Sequence, residues 1–197
     1  MEMTGEQLIP ASQADTWAAL NDPEVLKACV PGCESIDPAG ENEFSVQMTA
    51  RVGPVSAKFK GKLTLSDIKA PHSYSIAFEG QGGVAGFAKG SAQVSLAPEG
   101  HDTKLSYKVK ANVGGKLAQI GSRLVDAAAN KVANDFFNAF NDRMAALHAV
   151  HAAGAHDEHH PEPVPRDPDL PEISEVSLSF FAAGALVVFV VALITLF

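Results

Sequence analysis

Cysteine, tryptophan and basic charge are all scarce in this 197-residue chain. Two cysteines are too few for a disulfide-stapled scaffold, so the fold must rest on its own apolar core. Lys and Arg number 15 against 23 Asp and Glu, a net charge of -8. That balance argues against nucleic acid as a partner, because a general binder needs a basic face. The N-terminus, Met1-Glu2-Met3-Thr4, has no basic run followed by apolar residues, so no secretory leader is read there. Histidine is sparse where catalysis would need it. Before the His-rich end that begins at His148, the chain has only His72 and His101, both in expected turns. No nucleophile–base pair can be read from that pattern, and this chain is not expected to be an enzyme.

What is present divides the chain into three parts. Apolar residues make up 46% and charged residues 19%, enough for a packed core. Residues 1–150 are nearly neutral. Residues 151–177 hold seven acids and a single base, Arg166. Residues 178–197 carry no charge at all. This last stretch, LSFFAAGALVVFVVALITLF, is long enough for a helix of about 30 Å, the hydrocarbon thickness of a bilayer. It is read as a C-terminal transmembrane anchor that leaves the preceding domain in the cytoplasm, on the inner (cytoplasmic) membrane. Between domain and anchor, Pro161, Pro163, Pro165, Pro168 and Pro171 mark an extended tether. At ~3.1 Å per residue it could reach roughly 75 Å. Five histidines, His148, His151, His156, His159 and His160, could bind a metal. A flexible tract fixes no coordination geometry, so they are read as a helix end running into a polar linker, and no metal is expected.

Within residues 1–150 the period of the apolar pattern changes twice. Ser12 to Asp15 forms a capping box before a short helix, and Asp22-Pro23 starts a second one that ends at Val30-Pro31-Gly32. The pattern then alternates with period two between turns at Gly53-Pro54, Pro71 to Ser73, Gly80 to Gly83, and Pro98 to Gly100. Ala57, Phe59, Gly61, Leu63 and Leu65 should face inward, with Lys58, Lys60 and Lys62 outward. Leu105, Tyr107, Val109 and Ala111 repeat the pattern against Lys104, Lys108 and Lys110. From Lys116 to Ala149 the period becomes helical. Leu117, Ile120, Leu124, Val132, Phe136, Phe140, Met144 and Leu147 mark one stripe. The expected fold is α+β: a curved antiparallel sheet of six to seven strands wrapped on one long C-terminal helix.

One inward set is unusually small. Val84, Gly86, Ala88, Gly90 and Ala92 share a parity, and Ala127 to Ala129 lie at the helix centre. Either helix and sheet approach closely there, or a dry hollow is left for an apolar guest. Both readings stay open on the sequence.

The stretch Trp17…Leu20-Asn21-Asp22-Pro23-Glu24…Cys29-Val30-Pro31-Gly32-Cys33 resembles the opening of the carbon monoxide dehydrogenase G-subunit family. Arg51-Val52-Gly53-Pro54…Phe59-Lys60-Gly61, the run Gly114 to Arg123, and Phe136-Phe137 extend the resemblance over most of residues 1–147. It implies a START-like helix-grip domain with a pocket for apolar ligands. It further implies recruitment of a molybdenum-containing carbon monoxide dehydrogenase complex to the membrane and a link to respiratory quinone, with menaquinone or ubiquinone as bound ligand.

If such a pocket exists, its aromatic candidates are Phe59, Phe87, Tyr107, Phe136 and Phe140, and Tyr107 could donate to a carbonyl. Gly61, Ala88, Gly90, Leu124, Ala128 and Val132 complete the expected lining. Cys29 and Cys33 are four apart across a Pro-Gly turn, which is not the spacing of a zinc or redox pair, and packing is the expected role. Gly80 to Gly90 opens no helix, so it is not a phosphate loop. It reads as a hairpin turn or a mobile loop at a pocket mouth. The lysine ladder reads as a solvated outer face that discourages edge pairing, with docking of anionic lipid or an acidic partner as the alternative.

Overall fold

The structure, a computed structural model, describes residues 1–52 and 55–154. The expected linker beyond Gly154 and the expected anchor, 178–197, lie outside the described residues. So do the turn residues Gly53 and Pro54. Among the described residues, no helix is long and apolar enough to cross a membrane.

The elements follow in the order β1 (Glu2–Ile9), α1 (Gln13–Leu20), α2 (Pro23–Cys29), β2 (Cys33–Gly40), β3 (Glu43–Val52) and β4 (Val55–Lys69). Then come β5 (Ser73–Gln81), a 3-10 turn (Gly83–Ala85), β6 (Phe87–Glu99), β7 (Asp102–Gly114), α3 (Lys116–Gln119) and α4 (Ser122–Gly154). The seven strands form one antiparallel sheet in the order β1-β7-β6-β5-β4-β3-β2.

Local chemistry sets the helix starts. The Ser12 side chain accepts from the Asp15 backbone N–H, and its hydroxyl donates to Asp15 Oδ2 at 2.6 Å. Asp22 accepts from the N–H groups of Glu24 and Val25, and Pro23 occupies the first turn where no donor is missed. The strands bury alternate residues as the period-two pattern requires. Leu105, Tyr107, Val109 and Ala111 of β7 are buried, with lysines between them on the outer face.

The stretch from Lys116 is not one helix. Gly121 adopts φ +94°, a left-handed backbone that ends α3, and its carbonyl receives the first N–H groups of α4. The break rephases the stripe. Val125, Ala129, Ala133, Phe136, Phe140 and Met144 become the inward line, and Leu124 falls off it at 51% exposed. Leu147 is 41% exposed because it lies beyond the sheet, beside α1 and α2. Val84 is also turned out at 83%, since the 3-10 turn interrupts the alternation before β6 begins.

Four glycine positions are explained by neighbouring rings. The ring of Tyr107 lies over Gly5, that of Phe59 over Gly82, that of Phe87 over Gly114, and that of Phe78 over Gly90. A Cβ at any of them would overlap the ring. Part of the small-residue pattern is thus close packing.

The connections divide between two ends. The β3–β4 connection, the 3-10 turn and α3 share one end, where α4 begins. The turns β2–β3, β4–β5 and β6–β7 share the other with α1. Late in α4, Asn141 Nδ2 donates to the Leu8 carbonyl at 3.3 Å, which places the helix end there.

Candidate functional site

The apolar interior is not continuous. A large cluster runs from Met3 through the sheet to Phe136, Phe137, Phe140 and Met144 on α4. A second, small cluster of Ala50, Phe59, Ala85 and Leu117 lies at the α3 end. Ala57, Val113, Ile120, Ala128 and Val132 pack on the second cluster without becoming fully buried. Val113, Ile120 and Val132 touch both clusters. Apolar side chains that pack on both clusters yet retain accessible surface form a half-buried margin at the α3 end of the helix–sheet interface.

The sequence-predicted lining separates into three groups. Ala88, Tyr107, Phe136 and Phe140 are packed inside the large cluster. Tyr107 is stacked on Phe137 with centroids 5.7 Å apart, and Phe136 is stacked on Phe140 at 5.6 Å. Phe59, Ala128 and Val132 belong to the second cluster or its margin. Phe87 and Leu124 are exposed, at 42% and 51%. Gly61 is buried in the sheet, and Gly90 lies under the Phe78 ring. Val113 and Ala85 were missed. Extending the alternation of Val109 and Ala111 by one step would have found Val113. Ala85 sits in a glycine-rich turn, where no periodic signal exists.

Hollows also lie elsewhere. One of about 780 Å³ opens on the outer sheet face among Lys62, Glu79, Ser91 and Lys110. One of about 400 Å³ lies between α4 and the helices α1 and α2, lined by Ala18, Val25, Met144 and Leu147. The first mixes charged side chains with Met1, Phe78 and Ala111.

The lysine ladder is largely neutralised on the spot. Lys58 pairs with Glu34, Lys62 with Glu43, and Lys110 with Glu2, each at 3.0 Å, while Lys104 reaches Glu6 at 2.8 Å. Hydrogen bonds from Thr49 and then Lys58 hold the Glu34 carboxyl below the usual carboxylate range. Lys110 does the same for Glu2, and Lys104 for Glu6. Both cysteines are free thiols. Burial pushes Cys33 up to about 11, so it stays protonated at neutral pH and is a poor nucleophile or metal ligand there. Among the described residues, no group of three or more His, Cys, Asp and Glu is gathered as for a metal. Of the His-rich end, the side chains of His148 and His151 are not described, and His156, His159 and His160 lie outside the described residues.

The sequence profile of the carbon monoxide dehydrogenase G subunit (CoxG) matches residues 5–145. No curated protein matches the chain. Among solved structures, a conserved protein from Geobacillus kaustophilus is similar, with 29% identity and a TM-score of 0.70. That match covers 74% of this chain and 96% of the other. A Thermus thermophilus protein shares the fold at 16% identity and a TM-score of 0.58, over 75% of this chain and 99% of its own. Protein Ms6760 from Mycobacterium smegmatis does so at 18% and 0.54, over 75% and 92%.

Proposed function

Because the chain belongs to the CoxG family, the G subunits of carbon monoxide dehydrogenase, we propose that it is a membrane-tethered accessory protein of a molybdenum-containing carbon monoxide dehydrogenase, and that it presents a quinone or related isoprenoid lipid to that enzyme. The observation that carries the ligand part is the half-buried apolar margin between the two clusters. Its alkyl lining can replace the hydrocarbon that a prenyl chain leaves behind, where each CH₂ stranded in water would cost about 0.8 kcal/mol. Ala57, Val113, Ile120, Ala128 and Val132 offer no side-chain hydrogen bond, so this lining selects for the chain rather than for a quinone head group. Its chemistry is that of a binding site rather than of a catalytic one.

A quinone with a long tail stays in lipid, where a soluble enzyme cannot reach it. A carrier held on a tether meets both at an effective concentration of about millimolar. Residues 178–197 would supply the anchor. Deleting them is expected to move the protein from the membrane fraction to the soluble one. An unchanged distribution would remove the tether from the scheme.

Ligand carriage is tested by native mass spectrometry of the full chain, released from quinone-producing cells in mild detergent. A bound isoprenoid is expected. It should be lost in Ala128→Trp, whose indole would fill the margin, while the thermal midpoint holds. Apoprotein alone from the wild type would favour a second reading, a ligand-free anchor and assembly factor. That reading draws on the dense packing of Phe136, Phe137 and Phe140.

A further inference from the structure

We infer that the α3 end of the domain is a docking tip for an anionic lipid surface, formed by the exposed apolar side chains Val84, Phe87 and Leu124 with the cations Arg51, Lys116 and Arg123 around them. The inference deepens the reading above, and rests on it, because this tip adjoins the margin assigned to the ligand.

Among the described residues five large apolar side chains are exposed, and three of them lie at this end of the domain. Val84 stands on the 3-10 turn at 83% exposed, and Phe87 opens β6 at 42%. Leu124, in the first turn of α4, is 51% exposed. They are held out by construction rather than by loose packing. The Phe87 ring is seated over Gly114, and the backbone of Gly86 lies directly against Gly115. Beneath them Ala85 and Leu117 are buried, so the tip has a firm base.

The charges around it have one dominant sign. Arg51 is the last residue but one of β3, Lys116 opens α3 and Arg123 is the second residue of α4, and all three are exposed. Glu34, on the neighbouring strand, is already held by Lys58 and Thr49. Asp126, one turn along α4, is the remaining carboxylate near these cations in the chain. The opposite end carries Glu41, Asp67, Glu99 and Asp102 against Lys69 in or beside its turns. A negatively charged surface therefore attracts one end of the domain and repels the other.

Lipid fits this arrangement better than a protein does. A specific protein interface buries roughly 800 Å² on each partner around a continuous apolar centre. Val84 and Phe87 share the β5–β6 connection and Leu124 stands at the start of α4, and three side chains from these two places do not furnish such a centre. They can each enter the headgroup boundary while the cations stay at its surface, as interfacial segments do.

The test uses the full chain in vesicles of phosphatidylglycerol and phosphatidylcholine in equal parts, with brominated acyl chains as quencher. Trp17 is buried beside Tyr74 and gives a constant background. Val84→Trp is expected to show blue-shifted emission and strong quenching. His101→Trp, at the far end, should show neither above the wild-type background. Lys116→Glu with Arg123→Glu should weaken docking by at least roughly 30-fold, the factor for removing two basic groups from an anionic surface. Pure phosphatidylcholine should give the same loss. Equal quenching at 84 and 101, or none at 84, overturns the inference. So does an emission change at 84 that depends on protein concentration without vesicles, which would assign the tip to a second copy of the chain. The carrier reading fails separately, as apoprotein in the mass spectrum, whatever residue 84 reports.

Discussion

Replacing Phe136 with Ala is expected to cost about 3–5 kcal/mol, a large share of the stability of a domain of this size. Phe136 is fully buried at the middle of α4. Its ring stacks on Phe140 and meets Phe137 edge-on with centroids 5.1 Å apart, and Phe137 in turn stacks on Tyr107 of β7. The three phenylalanines, all buried, join the helix to the sheet within the large cluster. A truncation there leaves a void that neighbours on two layers must share, and rings fixed by their own contacts relax poorly into it. Urea denaturation read by circular dichroism gives the number. Leu124→Ala, three turns earlier on the same helix, should stay within about 0.5 kcal/mol because its side chain already faces water. Similar losses for the two would mean that the inward line of α4 is misassigned.

Gly115→Ala is expected to cost about 3 kcal/mol or more, which is unusual for the addition of one methyl group. Gly115 has φ +79° and ψ -151°, a backbone essentially reserved for glycine that alone costs a side chain roughly 1–3 kcal/mol. The rest comes from backbone that has nowhere to go. A Cβ at this position would sit 2.5 Å from the Gly86 Cα, and Gly86 itself has φ +122° and lies against the Gly114 carbonyl. Two chain segments meet here with no room for any side chain. Gly100→Ala is the matched control. Its φ is +67°, but a Cβ there meets nothing within 4 Å, so only the conformational cost of about 1–2 kcal/mol applies. Hydrogen exchange adds a local readout. Gly115→Ala should expose the amides of Gly83 to Ala85 before the remainder of the sheet opens. A loss no greater than that of Gly100→Ala would contradict the close approach.

The elements legible in the sequence are those fixed by neighbours in the chain. Ser12 with Asp15, and Asp22 with Pro23, announce helix starts because the capping atoms are two or three residues away. The strands of Leu65 and Leu105 announce themselves by alternation, since one face is wet. Gly121 was passed over because a glycine between Ile120 and Ser122 looks tolerable inside a helical period. Its left-handed backbone shows only once α3 and α4 are both placed. The candidate site is less legible for the same reason. The small residues along β6 stand out in the sequence, but whether Gly90 borders space or a ring depends on Phe78 across the strand pair. Likewise Phe59 and Phe136 carry equal apolar weight in the sequence. Only the three-dimensional contacts put them in different clusters on either side of Val132.

The sheet is open, with β1 and β2 at its margins, and neither margin is a clean template for growth. β2 changes register between Cys33 and Ser35 and again between Pro38 and Gly40. Its proline also has no donor to offer a newcomer. On β1, the Leu8 carbonyl is already taken by Asn141 of α4. A second copy of the domain therefore finds β2 irregular, and β1 already engaged at Leu8, if it tries to add another ribbon at either side.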